Sequence, residues 1–418
     1  MSSGANNILK NNENILFILN PSITHFKSVY RKHTKFLITY NEERPTSRVD
    51  FKDNDSITID LNYNADLLCD ISLKVSVNDP NNETDFVLKD DLPLFLVNDI
   101  TLNMVGPNIE LDKLDKDYIN FNAMLNNPKS NNSTYNVYSD TLTCNNGNNF
   151  QNMSLCGGVI NTITPATPIK NMTSIIPLPF AFSKSIGNAL PLCALNTTHT
   201  KAQIIISKKN IDEDPFDSDS EVNNNFLIGL FKYSIISKYI FLSNQEKLRF
   251  KNSKQEYLYE RVNVLNNGTS FTEKEHQDGK ITINRLSSNH PIKQIYLYNQ
   301  DTLNFNSLTY NVFVNNEQIF SEPFKHEFFS KVEILNKFKG SIYNGSDTSG
   351  NILINNNIAL IDFSLKMSEG PSGCISPNSN SIHIQLNIDK VASFNIKIYV
   401  VCYYLLTISN ENIAYMFD

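Results

Sequence analysis

Residues 69–77 read CDISLKVSV, and their alternation decides the class of fold. On an extended chain, Cys69, Ile71, Leu73, Val75 and Val77 point to one side and Asp70, Ser72, Lys74 and Ser76 to the other. Strand side chains alternate with a period of two, whereas a helix needs its apolar residues three or four apart. The same pattern returns in SITIDLNY (56–63), IHIQLNI (382–388) and FNIKIYV (394–400). Shorter examples are KAQIII (201–206), GKITINRL (279–286), KQIYLYN (293–299) and TYNVFVN (309–315). Strands with one apolar and one polar face belong to antiparallel sheets with one dry side.

Polar segments separate these strands. Residues 126–154 are rich in Asn, Ser and Thr, residues 208–225 are acidic, and residues 340–357 carry Gly, Ser and Asn. One helix is expected, in SNQEKLRFKNSKQEYLYERV (243–262), where Ser243 and Glu246 have the spacing of a capping box. It divides a β-rich first part from a β-rich second part. The expected organisation is all-β: an N-terminal arm (1–24), a first sandwich (25–242), a helical connector (243–260) and a second sandwich (261–418). Tandem double sheets built from Greek keys are jelly rolls.

The balance of charge narrows the function. The formal net charge is -7 and the pI about 5.6, which disfavours general binding to polyanions, so no specific nucleic-acid partner is expected. The N-terminal residues lack the apolar core of a secretory signal. The most apolar run, Ile398 to Ile408, is shorter than the roughly 20 residues that a membrane-crossing helix needs. Six cysteines without a CxxC pair read as free thiols in a reducing compartment.

No reactive constellation is visible. The seven histidines form no HxH or HxxxH pair that would suit a sandwich metal site. Glu273, Glu275, His276 and Asp278 in EKEHQD read as a solvated turn, and Cys156 beside Gly157 and Gly158 has no visible catalytic partner. No GxSxG and no glycine-rich phosphate loop occurs. The expectation is no catalytic, cofactor-binding or metal residue, no cofactor, and no enzyme activity. The chain has no tryptophan to serve as a sugar platform, although its 18 tyrosines could serve a carbohydrate or a protein surface.

One basic segment stands out in this acidic chain: PSITHFKSVYRKHTKFL (21–37). Read as a helix, it places Lys27, Arg31 and Lys35 on one stripe. Phe26, Val29, Tyr30, Phe36 and Leu37 interleave with them, so the aromatic residues are expected to pack and the exposed charges to make salt-sensitive contacts.

Five stretches together resemble the major capsid proteins of the nucleocytoplasmic large DNA viruses, the double jelly roll family. They are PSITHFKSVYRKHTKF (21–36), IPLPFAFSKSIGNALPLCAL (176–195), SKYIFLSNQEKLRFKNSKQEYLYERV (237–262), NHPIKQIYLY (289–298) and FSLKMSEGPSGC (363–374). The order and spacing of these motifs carry the resemblance. The chain departs from the family in having Tyr296 and Tyr298 where tryptophan is usual, and CISPNSNSIHIQL after Pro371-Ser372-Gly373. The resemblance implies two tandem eight-stranded jelly rolls and a structural capsid protein of the virion, assembled in the host cytoplasm. It implies a homotrimeric, pseudo-hexagonal capsomer that tiles an icosahedral shell. The implied partners are the chain itself, neighbouring capsomers and minor capsid proteins, with the internal viral membrane as a further surface. Two alternatives stay open: a minor capsid or scaffold paralogue of the same fold, and a carbohydrate-binding β-sandwich protein.

Overall fold

A computed structural model describes residues 32–45, 55–61, 65–78, 92–126, 171–195, 200–209, 231–271, 280–283, 290–299, 308–338, 343–346, 352–354, 357–366, 371–377, 382–387, 394–409 and 412–416, with the single positions 26, 51 and 229. By its contacts the chain forms a small unit, Met1–Lys35, and a large one, Phe36–Asp418.

The large unit opens with eight strands: β1 (Phe36–Glu43), β2 (Ser56–Asp60), β3 (Leu67–Asn78), β4 (Val97–Val105), β5 (Ile109–Asp115), β6 (Asn171–Pro177), β7 (Lys201–Lys208) and β8 (Phe231–Leu242). They form two antiparallel sheets in the orders β1-β8-β3-β6 and β2-β7-β4-β5. This is the strand order of a jelly roll. A sheet neighbour is a partner distant in sequence everywhere except in the β4–β5 hairpin. In β3 the alternation is realised: Ile71, Leu73 and Val75 are fully buried, while Asp70, Ser72, Lys74 and Ser76 are only half-buried.

Twelve more strands complete the unit: β9 (Gln255–Phe271), β10 (Lys280–Ile283), β11 (Ile292–Asn299), β12 (Thr309–Val314), β13 (Glu317–Gln318), β14 (Phe324–Lys325), β15 (Tyr343–Ser346), β16 (Ile352–Ile354), β17 (Ile358–Asp362), β18 (Ile382–Asn387), β19 (Phe394–Ser409) and β20 (Asn412–Met416). One sheet runs β17-β11-β19, with β9 on the far side of β19. The other runs β10-β18-β12-β13. Apart from β14, β15, β16 and β20, these strands repeat the order of the first sandwich. The fold is thus a double jelly roll. Asn315 and Asn316 both have positive φ, 54° and 65°. That backbone suits the two-residue hairpin turn that joins β12 to β13.

Three helices bear on the contact between the sandwiches: α1 (Lys116–Asn126), α2 (Asn244–Asn252) and α3 (Glu333–Lys337). The expected connector helix exists as α2 but is shorter than 243–260. From Gln255 the chain is strand, because Tyr257, Tyr259 and Arg261 alternate inward with Glu256 and Leu258 outward. Ser243 stands at the N-cap with extended backbone, yet its side chain makes no capping hydrogen bond. The backbone bond from Lys247 N to Ser243 O closes the first turn instead. The first described strand of the sandwich, β1, starts at Phe36. Within 340–357, expected as loop, the short hairpin β15–β16 forms.

In each sandwich, the connections that follow odd-numbered strand positions leave from one end and the others from the opposite end. The segments 126–154 and 208–225 join strand ends at the same end of the first sandwich. At the opposite end three residues, Gly106 to Asn108, join β4 to β5, and at the corresponding end of the second sandwich the β17–β18 connection contains the turn Pro371-Ser372-Gly373.

That turn is tight. Ser372 Oγ donates to Lys366 O at 2.6 Å and accepts from Lys366 N at 2.9 Å. Gly373 has φ +156°, and a Cβ there would lie 2.5 Å from Phe363 O, a backbone atom that cannot swing aside. Replacing Gly373 by Ala should therefore destabilise the chain by about 1–3 kcal/mol, read as a lower denaturant midpoint with an unchanged slope. Replacing Gly187, whose added Cβ would meet only Ser185 Oγ at an ordinary 3.6 Å, should be close to neutral.

Candidate functional site

Among the described residues no group of three or more His, Cys, Asp and Glu could hold a metal ion. His290 is buried and stacks on Tyr404, His326 bonds Tyr310 Oη at 2.6 Å, and His383 stacks on Phe313. Each is a packed core or sheet histidine. Glu273, Glu275, His276, Asp278 and Cys156 lie outside the described residues. Cys69, Cys193 and Cys374 are free thiols. Burial pushes Cys69 and Cys193 up to about 11, far from a nucleophile's range.

What the structure does build is a seam between the two sandwiches. It starts from α1, which follows β5 directly and buries Tyr118, Ile119, Phe121 and Leu125. Tyr118 and Phe121 pack on Tyr296 of β11 and Tyr399 of β19, with ring centroids 5.3–6.3 Å apart. Such offset and edge-on aromatic contacts add to the stabilisation from area burial alone. The buried side chains of both sandwiches form one continuous cluster through this contact.

Ion pairs surround the aromatic centre. Lys397 of β19 reaches Asp117 at 2.6 Å and Asp115 at 3.2 Å, and Tyr399 Oη donates to Asp115. Burial, with Asp117 next to it, raises the Asp115 carboxyl despite Lys397. Arg261 of β9 lies 3.1 Å from Glu110 and 3.9 Å from Asp112, over the faces of Tyr404 and Tyr415. Tyr415 Oη donates to Leu111 O at 2.5 Å. So β5 and the start of α1 present acids, and β9 and β19 present bases and hydroxyls. The direction reverses at one place: Glu260 of β9 holds both Lys184 of the first sandwich at 2.9 Å and the fully buried Lys293 of β11 at 2.6 Å.

A second candidate surface is the free edge of β1. Among the described residues this strand pairs only with β8, and Phe36, Leu37, Ile38 and Tyr40 are exposed. Phe36 and Leu37, expected from sequence to pack, are 51% and 62% exposed. Their strand end pairs with Leu242 and Phe241, the last residues of β8. Phe26 is fully exposed as well. Lys32, His33 and Lys35 are exposed; Lys27, Val29, Tyr30 and Arg31 lie outside the described residues.

Comparison with known proteins gives a consistent picture. The family profile described as "Major capsid protein N-terminus" matches residues 24–243. The chain is 26% identical over 276 residues to the major capsid protein of Pyramimonas orientalis virus, a match covering 66% of this chain and 59% of the relative. It is 26% identical over 277 residues to that of Paramecium bursaria Chlorella virus 1, covering 66% and 55%. The match thus spans little more than half the length of these relatives. The quasi-atomic model of the PBCV-1 virus capsid superposes with a TM-score of 0.67 at 19% identity, covering 94% of this chain and 100% of that one. The Faustovirus major capsid protein gives 0.59 at 11% identity, with 93% of each chain covered.

The seam makes two predictions. Phe121→Ala should cost about 3–5 kcal/mol, as core aromatic truncations do, whereas Leu248→Ala on the exposed connector helix should stay within about 0.5 kcal/mol; chemical denaturation compares them. The second concerns pH. Burial pushes the Asp112 carboxyl up to about 6, against the attraction of Arg261. The folded chain then binds this proton more tightly than the unfolded one, so its contribution is full below pH 3.8 and lost as pH rises through about 6. Glu260 is the opposite case. Burial alone would raise it, but Lys184 and Lys293 outweigh burial and hold it below its ordinary 4.5. Its contribution is full above pH 4.5 and lost as pH falls through the lower folded value. Relative to the parent, Asp112→Asn should gain stability between pH 3.8 and 6. The deficit of Glu260→Gln should shrink on acidification below pH 4.5. Denaturation series across pH test both slopes.

Proposed function

This chain belongs to the major capsid protein family, and from that premise we propose that it is a structural subunit of a large DNA virus shell. In this reading three copies close into a homotrimer whose six sandwiches give a pseudo-hexagonal capsomer, and capsomers tile an icosahedral capsid. The observation that carries the reading is the seam. A capsomer with six near-equivalent corners needs each pair of jelly rolls to move as one body, and the buried aromatic and ionic contacts do that. Closed three-fold rings satisfy each subunit's contact surfaces without leaving an open end. The apolar edge of β1 supports self-association, since an uncovered edge strand with exposed large side chains is a ready pairing surface.

The proposed division of the chain is an arm (1–35), a first jelly roll (36–242), a connector around α2 (243–254) and a second jelly roll (255–418). Neighbouring capsomers and minor capsid proteins are the proposed partners, with the internal viral membrane facing the basic segment and assembly in the host cytoplasm. A minor capsid subunit of the same fold differs in copy number, and counting this chain by mass spectrometry in purified particles separates the two.

Light scattering on the purified protein should give about three times the 47.5 kDa chain mass; a monomer in every buffer that keeps it folded would count against the capsomer. Changing Lys27, Arg31 and Lys35 together to Glu should leave the trimer and its melting nearly unchanged, because exposed charges are worth about 0–1 kcal/mol each. Particle formation should fail. Normal particles from this variant would remove the basic segment from the contact surfaces.

A further inference from the structure

The two sandwiches use one plan twice, and the match runs down to single residues. β3 pairs with β8 as β11 pairs with β19, and each pairing shifts register at one place, Leu68/Asp70 in β3 and Ile292/Gln294 in β11. Each shift lies beside an isolated bridge, Leu68 to Leu190 and Ile292 to Ile375. Two residues on from Asp70 and Gln294, Ser72 aligns with Tyr296. Their cross-strand partners, Ile236 and Tyr399, align as well.

On the second sandwich this position is covered from within the chain. The flank of the first sandwich, β5 and α1, lies on it, with Tyr118 and Phe121 against Tyr296 and Tyr399. Each sandwich has one such flank and one such face, and the seam uses one of each. The other face is the outer side of β1-β8-β3-β6. It departs from the polar face of an ordinary sandwich: Tyr40 is 69% exposed, Ile38 is exposed too, and Ile175 and Ile236 are half-buried on the same side. Ser72 is small where Tyr296 is large, which leaves a shallow seat next to Ile236. The charges of Glu42 and Lys74 on this face pair with one another at 3.0 Å.

The other flank is that of the second sandwich. It comprises β13, β14, the helical turn Phe328–Val332 and α3, and it stands between the strands that correspond to β5 and β6. Phe329 and Ile334 anchor it to its own core, while Ile319, Phe324 and Val332 are exposed. We propose that this flank docks on the outer face of β1-β8-β3-β6 of a second copy, repeating between chains the contact that α1 makes within one. The inference rests on the trimer proposed above and names the surfaces that close it. A contact between two different surfaces gives a ring where the rotation closes. Large apolar side chains exposed on both surfaces supply the burial, with Tyr40 as the aromatic anchor.

The test is crosslinking of the full-length protein in a background with the exposed Cys374 changed to Ser. Val332→Cys is combined with Ile236→Cys in one variant and with Tyr40→Cys in another, and each is treated with a short bismaleimide and then denatured. At least one pair should give covalent species up to trimer and no larger, while the background and the single variants stay at the monomer mass. Tyr40→Asp should raise the concentration at which the trimer dissociates by at least about tenfold, and Leu248→Asp on α2 should leave it unchanged. A trimer by light scattering with no crosslinked copies from either pair would overturn this interface and leave the capsomer standing, whereas a monomer would remove both. Equal crosslinking of the single variants, or a trimer indifferent to Tyr40→Asp, would also overturn the interface.

Discussion

The structure depends on two aromatic side chains of α1, Tyr118 and Phe121, pressed against the outer face of the β9-β19-β11-β17 sheet. In an ordinary sandwich that face is wet, and its polar residues need no partners. Here it is dry. Lys293 and Gln294 of β11 are buried on a strand whose every residue but Tyr298 is buried. Each charge placed there must be matched, because a buried charge stripped of its partner costs several kcal/mol. The pairs Lys293–Glu260, Lys397–Asp115/Asp117 and Arg261–Asp112 are the consequence.

Apolar burial supplies attraction without direction. The ionic and hydroxyl contacts supply the direction: the acids of β5 face Arg261, Lys397 and the Tyr399 hydroxyl, so the second sandwich cannot slide a residue along the first without unpairing several groups. The two kinds of contact divide the work. The aromatic centre holds the sandwiches together, and the polar ring around it sets their register. For a shell subunit, a fixed angle between its two halves is the property that the lattice needs.

The helices α1 and α2 show how a strong local signal and structural weight can part company. The segment 244–252 has a clear N-cap position, acidic and basic residues at the ends that complement the helix dipole, and a helix as expected, yet it buries no residue. The segment 116–126, KDYINFNAMLN, is rich in Asn and aromatic residues with modest helix propensity. It forms a helix because Tyr118, Phe121 and Leu125 share a buried face, whose two rings the second sandwich covers. Likewise β1 begins with the apolar residues Phe36, Leu37 and Ile38, but what it buries is Glu43, held by Ser237 Oγ at 2.6 Å and Tyr239 Oη at 2.5 Å, while its large apolar residues are exposed.

The sequence by itself determined eight of the strands, the class of fold and the family. Period-two patterning in β3, β7 and β18 is a local property, set by side chains one and two positions apart. The turn residues are local too: Gly373 occupies a position where any Cβ meets Phe363 O, so the Pro-Ser-Gly motif was legible before the fold was known. Only the tertiary structure decided what lies between the sandwiches. The run Ile398–Ile408 breaks the alternation because β19 is buried on both faces, and nothing within the run says what covers its second face. The pairing of Asp115 with Lys397, 282 residues apart, and the sharing of Glu260 by Lys184 and Lys293 leave no mark in local sequence. Charges find their partners through the packing of whole sheets, and that packing is a property of the fold, not of any segment.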